Sequence, residues 1–136
     1  MTSCPFCDFK DEPLKIHDDE HCYAIISKRP INKYHVLVIP RKHYESIVEL
    51  PDDLAAHLFV VAKRMSGAVR EACRPDAITH LSDDDIKEKG FNLVRHFKIH
   101  IIPRFDNDKV KIDWGRDTDP GIDARTEYTK RIQSFL

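Results

Sequence analysis

The run Arg95-His96-Phe97-Lys98-Ile99-His100-Ile101-Ile102-Pro103-Arg104 alternates polar and apolar residues. That is the period of a strand, and it puts His96, Lys98 and His100 on one face and Phe97, Ile99 and Ile101 on the other. Three basic, nucleophile-capable side chains therefore stand in a row. A solvated basic strand is the plain explanation of such a face. Against an unbroken apolar back, two histidines flanking a lysine are a costly composition unless an anion or a metal meets them.

A second chemical group opens the chain, Cys4-Pro5-Phe6-Cys7. Three arrangements suit it. A redox dithiol resembles the pair in composition, but that motif opens a helix after a strand, and only three residues precede Cys4 here. A local zinc finger would add His17 and His21, although the interval from Cys7 is short and Asp18-Asp19-Glu20 does not read as a finger helix. A tetrahedral zinc site closed by distant histidines would use His43 and His96, each at a strand-associated position. The remaining cysteines, Cys22 and Cys73, lie in apolar surroundings and read as small buried hydrophobes.

The elements that must position these groups follow from patterning. Cys22 to Ser27 and His35 to Ile39 read as two strands joined as a hairpin, the second stopped by Pro40. Leu54, Leu58, Val61, Met65 and Val69 recur at helical steps, with Asp52 and Asp53 in the first turn and Arg74-Pro75 as the stop. Asp76 to Leu81 predicts a short strand, and Ser82 to Gly90 a loop whose charges are solvated. The basic strand follows, then a polar, Asp-rich stretch containing Trp114, then a terminal helix from Ala124 to Phe135 with Tyr128, Ile132 and Phe135 on one side. One long helix among antiparallel strands makes the fold class α+β.

The 136 residues predict one domain, 1–136, with a single core. Charged residues make up 33% yet sum to a net charge of -1, so the chain lacks the basic excess of an extended nucleic-acid surface. No run approaches the roughly 18 to 20 apolar residues of a membrane span, and the N-terminus does not read as a secretory signal. A cytoplasmic protein with free thiols is expected.

His35-Val-Leu-Val-Ile-Pro-Arg-Lys-His43, then a helix, then His96-Phe-Lys-Ile-His-Ile-Ile-Pro-Arg104, together resemble the histidine triad (HIT) family of nucleotide hydrolases and transferases. The resemblance runs from about Cys4 to Arg104. It implies a HIT-like fold: an antiparallel sheet of about five strands, one long helix and a C-terminal helix. It also implies a structural Zn2+ held by Cys4, Cys7, His43 and His96, and a homodimer. The family strand reads His-φ-His-φ-His, where φ is apolar, and its middle histidine attacks the α-phosphate. In this chain Lys98 stands at that place, between His96 and His100. By the same resemblance His35 lines the phosphate site, Ser27 aligns with the ribose-binding aspartate, and Asn92 stands in place of a glutamine near the triad. Arg104 is a further candidate ligand-binding residue.

Lysine changes the chemistry. With an ordinary pKa near 10.4, only about one part in 2,500 is the neutral amine at pH 7. A bound phosphate would raise that value further. Three roles follow for Lys98: a point charge in a non-catalytic binder of a nucleotide or other phosphorylated ligand, a nucleophile giving a lysyl phosphoramidate, or a stabiliser of transferring phosphoryl charge while His35 or His100 activates water.

Overall fold

The computed structural model describes residues 3–112, 114–115 and 118–136. Its elements in chain order are β1 (Lys15–Asp18), β2 (Cys22–Ile26), β3 (Val36–Pro40), α1 (Asp52–Cys73), β4 (Ala77–Leu81), β5 (Ile99–Arg104) and α2 (Ile122–Gln133). The five strands form one sheet in the order β1-β2-β3-β5-β4, every neighbouring pair antiparallel. The fold class is α+β, with β1 and β4 at the sheet edges.

The sheet is covered differently on its two faces. On the first, Leu58, Val61, Ala62 and Val69 of α1 pack on Val36, Val38, Phe97, Ile99 and Ile101. These are the helical and strand periodicities meeting face to face. Arg74 ends α1 in the left-handed region at φ 45°, its N–H bonded to the Arg70 carbonyl. On the second face, Tyr23, Ile25, Leu37 and Ile39 lie under Phe6 and Phe9 from the N-terminal segment. The Phe9 and Tyr23 rings stack with centroids 5.6 Å apart.

Strand β5 begins at Ile99, later than the alternation predicts. Its register with β3 runs Val36↔Ile101, Leu37↔His100, Val38↔Ile99. Continued, it would bring Phe97 opposite Pro40, which has no N–H to donate. Pairing therefore stops, and the Phe97 N–H turns to the Tyr44 carbonyl. His96 thus sits in a bend, its N–H bonded to the Val94 carbonyl, and Lys98 in the segment that leads into the strand rather than within it. The alternation itself survives, because Phe97, Ile99 and Ile101 all enter the α1-side core.

Three further features depart from expectation. β1 is an additional edge strand, only four residues long and too short for its alternation to register in the sequence. α2 forms as expected but, among the described residues, buries none of its side chains, and Tyr128, Ile132 and Phe135 are exposed. The loop after β4 is not simply solvated. Asp84 accepts from the Ser46 hydroxyl and the Ile47 N–H, and buried Asp85 accepts the backbone N–H groups of Lys89, Gly90 and Asn92 at 2.7, 2.8 and 3.4 Å. A loop without a strand partner leaves its donors unsatisfied, and Asp85 supplies the acceptors.

Those bonds, the one from Lys89 foremost, hold the Asp85 carboxyl below its usual range. A depressed carboxylate stabilises the fold fully above the unfolded value of about 3.9, and that contribution is lost as pH falls through the folded value. Asp85→Ala is expected to lower the thermal midpoint at pH 7, with the gap to the native chain closing below about pH 3.9. Thermal unfolding across a pH series checks this, and an equal gap at all pH values contradicts it.

Candidate functional site

Cys4 and Cys7 are joined by a turn in which the Cys7 N–H bonds the Cys4 carbonyl. The fold carries His43, just beyond β3, and His96, just before β5, to the same point. His96 Nδ1 lies 3.4 Å from Cys4 Sγ and 3.5 Å from Cys7 Sγ, and His43 Nδ1 lies 3.3 Å from Cys7 Sγ. All four ligand atoms are within 4.8 Å of one another. Zinc bonds of about 2.3 Å to sulfur and 2.0 Å to nitrogen at the tetrahedral angle give S···N edges of about 3.5 Å. The donor set and its spacing therefore fit a tetrahedral zinc ion.

The outer contacts fit as well. Fully buried His96 donates from Nε2 to the Pro40 carbonyl at 2.7 Å, which leaves the Nδ1 lone pair aimed at the thiols. The proline that stops the strand thereby orients this imidazole. His43 Nε2 lies 3.5 Å from a Glu45 carboxylate oxygen. Burial and the adjacent Cys4 push the Cys7 thiol up to about 11, a cost that a bound dication reverses. His17 and His21 sit elsewhere, around Asp19 at the turn between β1 and β2.

On the second face of the sheet, His35 and His100 meet across β3 and β5, with His35 Nε2 2.9 Å from His100 Nδ1. Tyr34, at φ 66°, turns the chain just before buried His35, whose ring is tilted 44° to that of His100. The Ile31 N–H donates to His35 Nδ1 at 3.0 Å. A backbone N–H can only donate, so His35 carries its proton on Nε2 and donates it in a hydrogen bond to His100 Nδ1. His100 then carries its proton on Nε2. Among the described residues that nitrogen has no hydrogen-bond partner and no buried side-chain nitrogen or oxygen is unpartnered, so Nε2–H opens to solvent. Ser27, whose N–H bonds the His35 carbonyl, stands beside this pair.

Lys98 lies on the same face, buried, with its Nζ 5.2 Å from the Phe6 ring centroid. It donates to Asn92 Oδ1 at 2.5 Å and to the carbonyls of Val94 and His96 at 2.9 and 3.1 Å. Three donors meet three acceptors, all within the chain. Desolvation lowers its pKa to about 8, opposed by Cys4 and Asp83, so the ammonium form still predominates at pH 7 by about ten to one. Arg104 is equally committed: it holds Asp108 through Nε and Nη2 at 2.7 and 3.0 Å, Thr79 at 3.1 Å and the Val110 carbonyl at 2.7 Å. A shallow concavity beside it, lined by Asp76, Asp106 and Asp108 among others, belongs to this ion-pair network and not to the imidazole pair.

Several contributors escaped the sequence reading. Asp85 shapes the loop that delivers Asn92, and its only sequence signal is a carboxylate five residues before Gly90, which adopts φ 88°. The Ile31 N–H and the Pro40 carbonyl fix histidine tautomers, and backbone groups leave no mark in side-chain spacing.

Burial lowers His35 and His100 to about 4, helped for His35 by the adjacent His100 and for His100 by the Lys98 ammonium. Between the unfolded value of about 6.5 and pH 4 the unfolded chain binds protons that the folded site refuses, so stability falls as pH drops through that window. His100→Gln is expected to flatten part of this slope in denaturant titrations at stepped pH. An unchanged slope would show that His100 is not held neutral.

Comparisons with known proteins bear on this arrangement. The HIT domain family model matches residues 10–107. The crystal structure of a HIT family member from Bacillus subtilis superposes with a TM-score of 0.86 at 28% identity, covering 99% of this chain and 98% of that one. A Zn-bound histidine triad family protein from Mycobacterium smegmatis gives a TM-score of 0.70 at 28% identity, covering 85% and 84%. The adenylylsulfatase HINT3 of Arabidopsis thaliana is 29% identical over 111 residues, 79% of this chain and 55% of that protein. With its sheet order, its paired imidazoles and a family match over most of its length, this chain belongs to the HIT domain family.

Proposed function

We propose that this HIT protein, read as one domain over residues 1–136, binds a nucleotide or a closely related phosphorylated small molecule. In this reading it does not form the covalent intermediate that a nucleophilic imidazole would give. The observation that carries the reading is the three-acceptor cage around the Lys98 ammonium. For Nζ to attack phosphorus it must lose a proton and leave Asn92, Val94 and His96 without their donor. Each buried acceptor so orphaned costs about 1–3 kcal/mol.

The imidazole pair supports the same reading. Its proton order presents an N–H from His100, which suits a phosphate oxygen, and offers no free lone pair to activate water. Lys98 contributes fixed positive charge beneath the site, and Asn92 holds it there. Ser27 lies beside the pair as a further hydroxyl for the ligand. Arg104, bound on every side, positions the chain after β5 instead of meeting the ligand. The nucleotide class itself rests on the family and on relatives such as the adenylylsulfatase.

Calorimetry with a nucleoside monophosphate is expected to show binding that His100→Ala weakens roughly 10–100-fold, the worth of one hydrogen bond to a charged group. Intact mass after incubation with a labelled nucleoside phosphoramidate is expected to show no adduct. An acid-labile nucleotidyl mass that disappears in Lys98→Ala would overturn the reading.

The Cys4, Cys7, His43 and His96 cluster holds structural zinc in this account, supported by donor spacing and by the Zn-bound relative. The ion ties the N-terminal segment, which covers Lys98, to the end of the β3–β5 pairing where β3 finishes and β5 begins. Protein dialysed against a weak chelator is expected to keep about one zinc per chain, and the Cys4→Ser, Cys7→Ser double variant none, with a lower unfolding midpoint. Elemental analysis and thermal unfolding check this, and zinc loss without any change in midpoint contradicts the structural role.

A homodimer completes the reading. Phe59 and Val60 on α1, together with Val48, Phe91 and Leu93 on the adjoining loops, are exposed apolar side chains, and β4 offers an open sheet edge.

A further inference from the structure

Away from both groups already described, the turn between β1 and β2 is built on Asp19. Its Oδ1 accepts the backbone N–H groups of His21 and Cys22 at 2.7 and 2.8 Å. Its Oδ2 meets three side chains from three elements: His17 Nε2 of β1 at 2.6 Å, His57 Nε2 of α1 at 2.8 Å and Cys22 Sγ of β2 at 3.5 Å. A carboxylate oxygen has two lone pairs, which the two imidazoles occupy, so the thiol is a third side chain crowded against the same oxygen. The ligand atoms of His17, Asp19 and Cys22 lie within 4.8 Å of one another, the same span that encloses Cys4, Cys7, His43 and His96.

We propose that this cluster is a second metal site, taking a divalent transition ion of the zinc class through His17 Nε2, Asp19 Oδ2 and Cys22 Sγ, with His57 Nε2, which of these three meets only Asp19 and lies outside their mutual span, turning in as the fourth donor. Two imidazoles, a carboxylate and a thiolate form a borderline-soft set that suits zinc or cobalt and not magnesium or calcium. The Sγ to Oδ2 separation of 3.5 Å already matches the tetrahedral S···O edge of about 3.6 Å. The N···O separations are hydrogen-bonded lengths and must widen to about 3.4 Å, a side-chain rotation at partly exposed residues. His17 and His57 keep 21% and 35% of their side-chain surface exposed, which gives an ion its path, while Cys22 is fully buried and closes the inner side. On binding, the proton of each imidazole moves from Nε2 to Nδ1 through solvent, and the Cys22 proton leaves to solvent.

The surrounding charge permits a dication. Arg41 pairs with Asp18 and donates to the Asp19 carbonyl, so its charge is already opposed. One thiolate in place of two makes this the weaker of the two sites, filled after Cys4 and Cys7. Occupied, it ties the start of α1 to the first hairpin.

The test uses the untagged full chain with zinc already at its first site. Titration with Co2+ is expected to add one further equivalent with a thiolate-to-cobalt charge-transfer band in the near ultraviolet. His17→Gln with His57→Gln keeps an N–H aimed at Asp19 but removes both imidazole lone pairs, and is expected to weaken that equivalent at least tenfold while leaving the first ion in place. No further equivalent, or one that lacks the thiolate band, overturns the proposal on the native chain alone, even if the variant does not fold. Undiminished binding in a folded double variant overturns it equally.

Discussion

Lys98 keeps its ammonium under the Phe6 ring by donating to Asn92 and to the carbonyls of Val94 and His96. A charge taken out of water costs several kcal/mol unless its hydrogen bonds are replaced, so the chain from Gly90 to His96 must bend its acceptors inward around Nζ. Much else follows from this constraint. Asn92 is held by the Asp85 carboxylate through its backbone, which is why a loop of charged residues is ordered. His96, whose carbonyl serves Lys98, is anchored at its ring by Pro40 on one side and the two thiols on the other. The lysine cage and the cysteine-histidine cluster therefore share a backbone segment, and neither can move without the other.

The sheet separates construction from chemistry. Its first face is apolar and closed by α1, and the three alternating residues Phe97, Ile99 and Ile101 lock the register there. A slip of one residue would turn His96, Lys98 and His100 into that core. Its second face carries His35, Lys98 and His100, and the protein controls their protonation by burial and by backbone contacts. Ile31 sets the tautomer of His35, His35 sets that of His100, and the outcome is a single N–H directed outward. The site offers donors and fixed charge, which is the equipment for holding an anion.

The parts that were legible in the sequence are those that repeat along the chain. The apolar steps of α1, the continuous apolar strands β2 and β3, and the alternation through Ile101 each report burial on one side of an element. Spacing and family likeness were also enough to name Cys4, Cys7, His43 and His96, which the fold brings together. What escaped was interaction that leaves no period. The onset of β5 depends on a missing N–H at Pro40 on another strand. Asp84 and Asp85 are more than solvated charges, because backbone donors that lack a strand partner recruit them. The equivalence of His96, Lys98 and His100 dissolved once their partners were visible: thiols for one, three carbonyl-type acceptors for the next, a second imidazole for the last.

The central claim is that Lys98 is a caged cation and His100 the group that meets the ligand. A crystal structure of the protein soaked with a nucleoside monophosphate tests it most directly. The account predicts a phosphate oxygen at about 2.7–3.0 Å from His100 Nε2, with Lys98 Nζ still bound to Asn92, Val94 and His96. Lys98 swung free of those acceptors with Nζ against or bonded to phosphorus would contradict it.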